Sequence, residues 1–478
     1  MNYNNVLYIV GKTVRIVSCL MLMPLACAVY YHENLMPFLL TILLSFLLGM
    51  FMTSVFDSSE GTIMHREGYA IVSLSWLVAS VLGALPFVLS GSIPNFIDAF
   101  FETVSGLTTT GASIVDDVEA LPKSILFWRS LTHWIGGMGI LVFITAIAFR
   151  SPDRTINILK AEMPGHSVDK LVPKTKKTAV SLYKMYVVLT AVEIAFLLAG
   201  GMPLFDSVLH AFGTAGTGGF GIKADSIASY SPYLQWVITI FMFLFGLNFN
   251  LYYLILLKNF KPVIKSNELK WALIFAFSAT AIITLNIMPM YHNFSEALRL
   301  SAFQVSSIMT TTGYATCDFN LWPQLSKAIL LLLMFCGCCM GSTAGGLKVS
   351  RVVVLGQVIK NQFIQALSPR SIRSVRLNGR LMDEAYVAKT TGYFVMYMAI
   401  ICISFLLLSF ESFDFETNFT AAVSCMNNVG PGFGAVGPAA SFSGYSDFST
   451  LVLSFTMLLG RLEIYPLILA ITPLSKVN

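Results

Sequence analysis

Four short stretches, each holding a glycine and set about a hundred residues apart, carry the residues of this chain best suited to chemistry. They are Thr108-Thr109-Thr110-Gly111-Ala112, Gly216-Thr217-Gly218-Gly219-Phe220, Thr310-Thr311-Thr312-Gly313-Tyr314 and Asn427-Asn428-Val429-Gly430-Pro431. The chemistry they suit is coordination of a dehydrated cation by backbone carbonyls aimed at a common axis. Glycine permits the dihedrals that turn consecutive carbonyls inward. The candidate ligands are Thr109, Thr110 and Gly111; Thr217, Gly218 and Gly219; Thr311, Thr312 and Gly313; and Asn428, Val429 and Gly430. The threonines can add hydroxyl oxygens and fix the loops. One such stretch is a weak signal; four at matching places in four repeats carry weight.

Positioning these loops requires a repeated element order: a long helix, a short descending helix, the glycine loop and a second long helix. The first unit uses about 68–90, 95–107 and 123–149; the second about 177–200, 203–214 and 231–258. The third uses about 269–290, 294–309 and 322–350; the fourth about 388–410, 415–426 and 446–472. Two further helices, about 13–32 and 35–56, precede them. The predicted divisions are an N-terminal helix pair (1–60), repeats at 66–150, 175–258, 268–351 and 386–474, and a basic linker at 352–385. The short segments cannot cross about 30 Å of hydrocarbon and must re-enter from one side. Irregular backbone at that depth is tolerated only in protein or beside a wet cavity, so the four loops should meet at an aqueous axis. The short helices would turn the partial negative charge of their C-termini toward it.

Composition points to the same class. Of 478 residues, 56% are hydrophobic and 12% charged, with mean hydropathy +0.73. Soluble domains carry about 25% charged residues. Runs such as Leu39 to Phe56 and Leu234 to Leu257 have membrane-span length. The expected fold is therefore an all-α integral membrane protein: four helix–pore loop–helix repeats around a pseudo-fourfold pore, plus two N-terminal helices, about ten spans in all. The first apolar run, Ile16 to Tyr31, follows Lys12 and Arg15 as a signal peptide would, but no clear small-residue cleavage site ends it.

The net charge of +5 is unevenly spread. Lys and Arg concentrate in Arg150 to Lys177, Lys258 to Lys270 and Lys348 to Arg380, which the positive-inside rule makes cytoplasmic. Asp116, Asp117, Glu119, Asp225, Asp318, Glu411, Asp414, Glu416 and Asp447 fall in the other connections, which would face outward with all four loops. An acidic mouth would concentrate cations, although each acid singly is as well explained as a solvated loop residue. Both termini are then cytoplasmic.

Three further features bear on chemistry. The second long helix of the third unit is interrupted by Gly337 and by Gly341-Ser342-Thr343-Ala344-Gly345-Gly346. Each interior glycine costs about 1 kcal/mol, so an unwound segment is predicted, with close small-residue helix packing as the alternative. Arg461 lies mid-span in Leu458-Leu459-Gly460-Arg461-Leu462-Glu463. A charge there is costly and by default functional, with a structural ion pair as the alternative; Glu463 should project to another face. Arg129 and Lys348 are expected nearer an interface, snorkelling.

Other motifs carry less. Cys336, Cys338 and Cys339 form a CxCC cluster, better explained by packing than by a metal. Gly432-Phe433-Gly434-Ala435-Val436-Gly437 matches GxGxxG, but between membrane helices rather than in a βαβ unit. No Walker A sequence occurs, so ATP hydrolysis by this chain is not expected.

The glycine loops, together with His133-Trp134-Ile135-Gly136-Gly137-Met138-Gly139 and Gly341-Ser342-Thr343-Ala344-Gly345-Gly346-Leu347-Lys348, make the chain resemble the Trk/Ktr/HKT superfamily of potassium transporters. It is most similar to the bacterial TrkH/TrkG type, over nearly the whole chain, including the N-terminal helix pair that KtrB-type subunits lack. The resemblance implies one filter glycine per repeat: Gly111, Gly219, Gly313 and Gly430. The fourth loop departs most, with Asn428 and Val429 where the first and third have threonine, so a less symmetric pore is expected. The resemblance also implies that Gly341, Ser342, Thr343, Ala344, Gly345 and Gly346 form an intramembrane gate beneath the filter, working with Arg461 as a barrier. The implied cargo is K⁺, taken up through a gated pore with proton linkage open. The implied partners are membrane lipid, a cytoplasmic ring of RCK-type, nucleotide-binding TrkA subunits docked on the basic connection, and a second copy in a homodimer. No cofactor or nucleic acid is expected, and the implied location is a bacterial inner membrane.

Two other classes compete. A secondary transporter of a small organic solute also uses interrupted helices around a midplane site, but usually shows two related halves and often a buried coupling carboxylate. Near the loops only Glu102 and Asp98, on the first re-entrant helix, are of that type. A membrane enzyme would need a HExxH motif, a nucleophile–base set or paired carboxylates at membrane depth, none of which the sequence offers.

Overall fold

The computed structural model describes residues 2–56, 64–139, 175–291, 293–371 and 373–471. The expected continuation of a helix through 140–149, the basic connection over 150–174 and the end of the last helix lie outside the described residues.

The chain opens with α1 (Tyr3–Leu20), α2 (Leu22–Tyr30) and α3 (Met36–Val55). Helix thus begins earlier than the expected 13–32 and is interrupted at Met21. Pro24 has no N–H for the Leu20 carbonyl, which opens the ladder there. Gly11 and Gly49 let α1 and α3 cross closely: a methyl group at Gly11 would come within 2.7 Å of Met52 Cβ. Such small-residue crossings let membrane helices gain van der Waals contact.

Four repeats follow. The first has α4 (His65–Leu89), α5 (Phe96–Leu107) and α6 (Lys123–Gly137). The second has α7 (Thr175–Ala199), α8 (Leu204–Gly216), α9 (Pro232–Gly246) and α10 (Phe249–Leu256), then the short α11 (Phe260–Ile264). The third has α12 (Asn267–Tyr291), α13 (Phe294–Met309), α14 (Gln324–Cys336) and α15 (Val349–Leu367). The fourth has α16 (Glu384–Leu408), α17 (Phe415–Asn427), α18 (Asp447–Arg461) and α19 (Tyr465–Ile471). The outer helices α4, α7, α12 and α16 have 25 residues each, roughly 37 Å at 1.5 Å per residue, enough to cross hydrocarbon. The re-entrant helices α5, α8, α13 and α17 have 12, 13, 16 and 13 residues, roughly 18–24 Å, and fall short. Starts are fixed by side-chain caps: Asn95 on α5, Ser231 on α9, Asn293 on α13, Asp383 on α16, Asp414 on α17 and Ser446 on α18.

Among the described residues, six helices are long and apolar enough to span a membrane, or seven if the bent pair α9–α10 counts as one. The architecture is the expected all-helical one, four repeats preceded by two N-terminal helical segments. The second long helix of each repeat stops part-way; α9 turns by 90° into α10. The basic stretch after repeat three also differs from a plain linker. It begins as α15 and continues into a two-stranded hairpin, Arg376–Leu377 against Arg380–Leu381, turned on Asn378 and Gly379, both with positive φ. Gln357 of α15 clamps the hairpin, accepting from Arg376 N at 2.9 Å and donating to Arg376 O at 2.8 Å.

Candidate ion site and the segment beneath it

All four re-entrant helices end in the same turn. The residue after the last helical turn is left-handed: Thr109 (φ 56°), Thr217 (56°), Thr311 (57°) and Asn428 (55°). The next N–H reaches back to the carbonyl five residues earlier: Thr110 to Ser105, Gly218 to Gly213 and Thr312 to Ser307 at 2.8 Å, Val429 to Ser424 at 3.0 Å. This is the Schellman closure. Glycine usually occupies the left-handed position, whereas three of these loops place a β-branched threonine there, a genuine outlier. Strain of this kind costs on the order of 1–3 kcal/mol per residue and persists only where the surroundings impose it. Two residues on, the chain is left-handed again at Gly111 (φ 80°), Gly219 (75°), Gly313 (83°) and Gly430 (103°). The alternation turns successive carbonyls to one side.

The four loops close into a ring. A methyl group built on Gly111 would fall within 3.0 Å of the Gly218 carbonyl oxygen, on Gly219 of Thr312 O, on Gly313 of Val429 O, and on Gly430 of Thr110 O. Each glycine thus abuts the carbonyl before the next loop's glycine, and the fourth contact returns to the first loop. The backbone of Thr110, Gly218, Thr312 and Val429 therefore stands at one level around one axis. Gly218 replaces the larger residue of the other loops because the His133 ring fills the space its Cβ would need. His133 Nδ1–H donates to Gly106 O at 2.9 Å and Nε2 accepts from Phe220 N–H at 3.2 Å, tying the first re-entrant helix to the second loop.

The threonine hydroxyls divide into two groups. Thr110 and Thr312 pair with the hydroxyls of Thr108 and Thr310 at 2.7 and 2.8 Å, so they brace the loops. Thr217 Oγ1 donates to Gly216 O. Thr311 Oγ1 accepts the Gly345 N–H from below at 2.7 Å, and Thr109 Oγ1 is buried with no partner among the described residues. In the fourth loop Asn428 Nδ2 donates to Thr110 Oγ1 at 2.9 Å and Met457 O at 3.0 Å, so asparagine stitches the last repeat to the first.

Outside the ring lies a cavity of about 280 Å³ that touches all four glycines and is also lined by Asp116, Lys223 and Arg129. Arg129 does not snorkel. It is buried, its Nε 2.7 Å from Glu102, with Nη2 on Ser113 Oγ, Nη1 on Gly221 O and the guanidinium over the Phe220 ring. Glu102 also accepts Ile114 N–H at 2.9 Å. The pair holds the first and second loops together, because Glu102 supplies the partner that lets a cation stay inside.

Below the ring, residues 337–348 are not helical, as the glycine content predicts. The backbone of this segment is left-handed at Gly337, Gly341, Gly346 and Lys348. Its polar groups are met by neighbours: Cys339 N donates to Gly246 O, Met340 N to Glu268, Thr343 Oγ1 to Phe245 O, and Gly341 O accepts from Phe249 N. Gly345 packs on the Asn427 carbonyl with no room for a side chain. Lys348, also expected to snorkel, is buried and folds back to donate to Ala344 O, because an internal carbonyl offers its ammonium a partner. Arg461 Nη1 donates to Thr343 O at 2.8 Å, and Nη2 to Gly136 O and Gly137 O at 2.5 and 2.7 Å. It thus bridges Thr343 and the end of α6. Glu463 does project elsewhere, pairing with Arg351 of α15. The three clustered cysteines are buried free thiols, and among the described residues no cluster of three or more His, Cys, Asp or Glu side chains is arranged to hold a metal ion.

Sequence reasoning missed the other interruptions at this depth. α6 ends at Gly137, α9 bends after Gly246, and α18 ends at Arg461 before left-handed Glu463 and Ile464. The available signals were Gly136-Gly137-Met138-Gly139, Gly246 with Asn248, and Gly460. Gly136 and Gly460 each sit against the carbonyl at the end of a re-entrant helix, Leu107 O and Met426 O.

Residues 34–476 match the family model TrkH, described as a cation transport protein. The chain belongs to the TrkH family. It is 34% identical over 471 residues to the Trk system potassium uptake protein TrkG of Escherichia coli (strain K12), covering 97% of this chain and 96% of that protein. It is 33% identical over 483 residues to TrkH of Salmonella typhimurium, covering 99% of each. The crystal structure of the potassium transporter TrkH from Vibrio parahaemolyticus superposes with a TM-score of 0.89 at 30% identity, covering 99% of each chain. The TrkH family is one of transporters rather than enzymes, and the apolar helices fit a multi-pass membrane protein.

Removing Arg461 tests its place in the path. A unit charge several ångströms from a cation costs it about 2–3 kcal/mol at an effective dielectric of about 20. Arg461→Ala is expected to raise cation flux through proteoliposomes by roughly thirty- to hundredfold, and Arg461→Lys much less. Unchanged flux in folded Arg461→Ala would place the side chain off the path. Gly345→Ala should push the segment off the fourth re-entrant helix, break the Thr311 hydrogen bond and raise basal flux several-fold in the same measurement.

Proposed function

We propose that this chain takes up K⁺ across the membrane through the axis enclosed by the four loops. The carbonyls of Thr110, Gly218, Thr312 and Val429 stand in for the water shell of the ion, with those of the flanking site residues above and below. The observation that carries this reading is the closed cycle of glycine-to-carbonyl contacts among the four loops. The relatives' activity in potassium uptake supports it.

In this reading residues 341–346 are a gate. Thr311 contacts the segment directly, and Arg461 latches it to α6, so filter and gate move together. Opening withdraws the loop and frees Arg461 from the Thr343 carbonyl. The basic α15 and its hairpin form a cytoplasmic surface suited to an RCK-type TrkA ring, whose nucleotide state would pull on Val349 at the gate's end. A homodimer, a bacterial inner-membrane location, cytoplasmic termini and proton linkage complete the proposal. The charge bias of the connections supports the orientation.

Expression in a bacterium lacking its own potassium uptake systems tests the function. Restored growth at low K⁺, dependent on the partner ring or enhanced by it, is the expected result. Failure to restore growth with the ring present, in cells with the protein in the membrane, would refute it.

A further inference from the structure

Among the described residues, every buried carboxylate near the ion path but one is partnered. Glu102 has Arg129 and the Ile114 N–H, Glu268 has the Met340 N–H, and Glu463 has Arg351. Glu193, in the middle of α7, is 0% exposed, and neither carboxyl oxygen has a hydrogen-bond partner among the described residues. An ionised carboxylate left this way in a membrane interior is strongly disfavoured. The neutral acid is the form this pocket accommodates.

Among the described residues, no cation lies within hydrogen-bonding reach of it. On its own helix Glu193 has Tyr186, whose hydroxyl donates to Trp134 O, and Thr190, which donates to Tyr186 O. From α8 it faces Thr214, whose hydroxyl donates to His210 O; that helix also carries His210, paired with Tyr314 and Tyr230, and Asp206, paired with Tyr230. Tyr314 of the third loop donates to His210 O. Helix α6 brings His133 and Arg129, already committed to Gly106 and Glu102. Helices α9 and α10 carry no charged residue, their only titratable groups being Tyr233, Tyr252 and Tyr253.

Thr214 is what makes the position consequential. Its carbonyl accepts the Thr217 N–H at 3.0 Å, closing the turn that launches the second loop. A carboxylate at Glu193 would draw the Thr214 hydroxyl away from His210 O and disturb that last turn. We propose that Glu193 is a proton-binding site in the wall of the second repeat, and that its proton keeps α8 and the second loop in their conducting form. This rests on the potassium-pore reading above. Protonation and ionisation exchange one proton with the aqueous phase and require no other reactant.

The test is radioactive rubidium flux through proteoliposomes of the full-length protein against pH, for the parent, Glu193→Gln and Glu193→Asp. Glutamine mimics the protonated acid. The parent is expected to lose flux as pH rises, by about tenfold per pH unit above the midpoint, the limit for one titrating group. Glu193→Gln should change less than about twofold over the same range, and Glu193→Asp should keep a shifted dependence. A parent flux indifferent to pH, or a Glu193→Gln profile that follows the parent, overturns the proposal. A parent with no cation flux at any pH counts instead against the pore reading. Independently of flux, the infrared difference spectrum of parent minus Glu193→Gln at neutral pH should show the carbonyl stretch of a protonated carboxylic acid; its absence overturns the proton site directly.

Discussion

Gly313→Ser is expected to strip the protein of most of its preference for potassium over sodium. Two independent costs meet at this position. The backbone is left-handed at φ 83°, and a Cβ there would lie within 3.0 Å of the Val429 carbonyl oxygen. Left-handed strain alone costs on the order of 1–3 kcal/mol. The clash is with backbone, not with the tip of a flexible side chain, so it can be relieved only by moving Val429 O or the third loop. Either movement changes the carbonyl ring itself. With about 1.4 kcal/mol per tenfold, the loss of discrimination is expected to reach about a hundredfold. Rubidium uptake with sodium as competitor measures it: sodium should compete poorly in the parent and well in Gly313→Ser. The equivalent change at Gly430, where the backbone reaches φ 103° against Thr110 O, should act alike. Undiminished selectivity in either variant would mean the ring does not set the ion preference.

Arg129→Met should destabilise the protein by about 3–5 kcal/mol, the usual result of removing one member of a buried ion pair. Arg129 and Glu102 are both almost fully buried, and Glu102 would be left with two weaker donors, Ser113 Oγ and Ile114 N–H. Thermal unfolding in detergent, at fixed lipid and potassium concentrations, reads the effect. The double variant Arg129→Met, Glu102→Gln should recover much of the loss, because no buried charge then lacks a partner. A double variant as unstable as the single one would mean that contacts of Arg129 with Gly221 O and the Phe220 ring, rather than the pair, hold the loops.

The legible and illegible parts of this fold separate by where the information lies. Gly111, Gly219, Gly313 and Gly430 were legible because left-handed backbone after a short apolar segment demands glycine locally. The unwound stretch at 341–346 was legible because its glycines are dense. The bend after Gly246 was not: Leu234 to Leu257 is one apolar run, and the break is supported by Cys339 N on Gly246 O and Gly341 O on Phe249 N, partners from another repeat. Arg129 and Lys348 were misplaced for the same reason. Without Glu102 and the Ala344 carbonyl in view, the cost of burying a cation argues for an interface. Glu193 went unnoticed because one acid in a 25-residue apolar helix does not alter its hydropathy; only its enclosure by α8 and α9 makes it unusual. The left-handed threonines were illegible in principle. Local preference opposes Thr109, Thr217 and Thr311 there, and only the ring around them explains the conformation.

In the proposed pore, four carbonyls from four repeats hold one dehydrated cation. Crystals grown in rubidium in place of potassium, with data collected at the rubidium absorption edge, address this directly. The predicted result is an anomalous peak on the axis between the carbonyl oxygens of Thr110, Gly218, Thr312 and Val429. Rubidium peaks elsewhere in the molecule with none at that ring would contradict it.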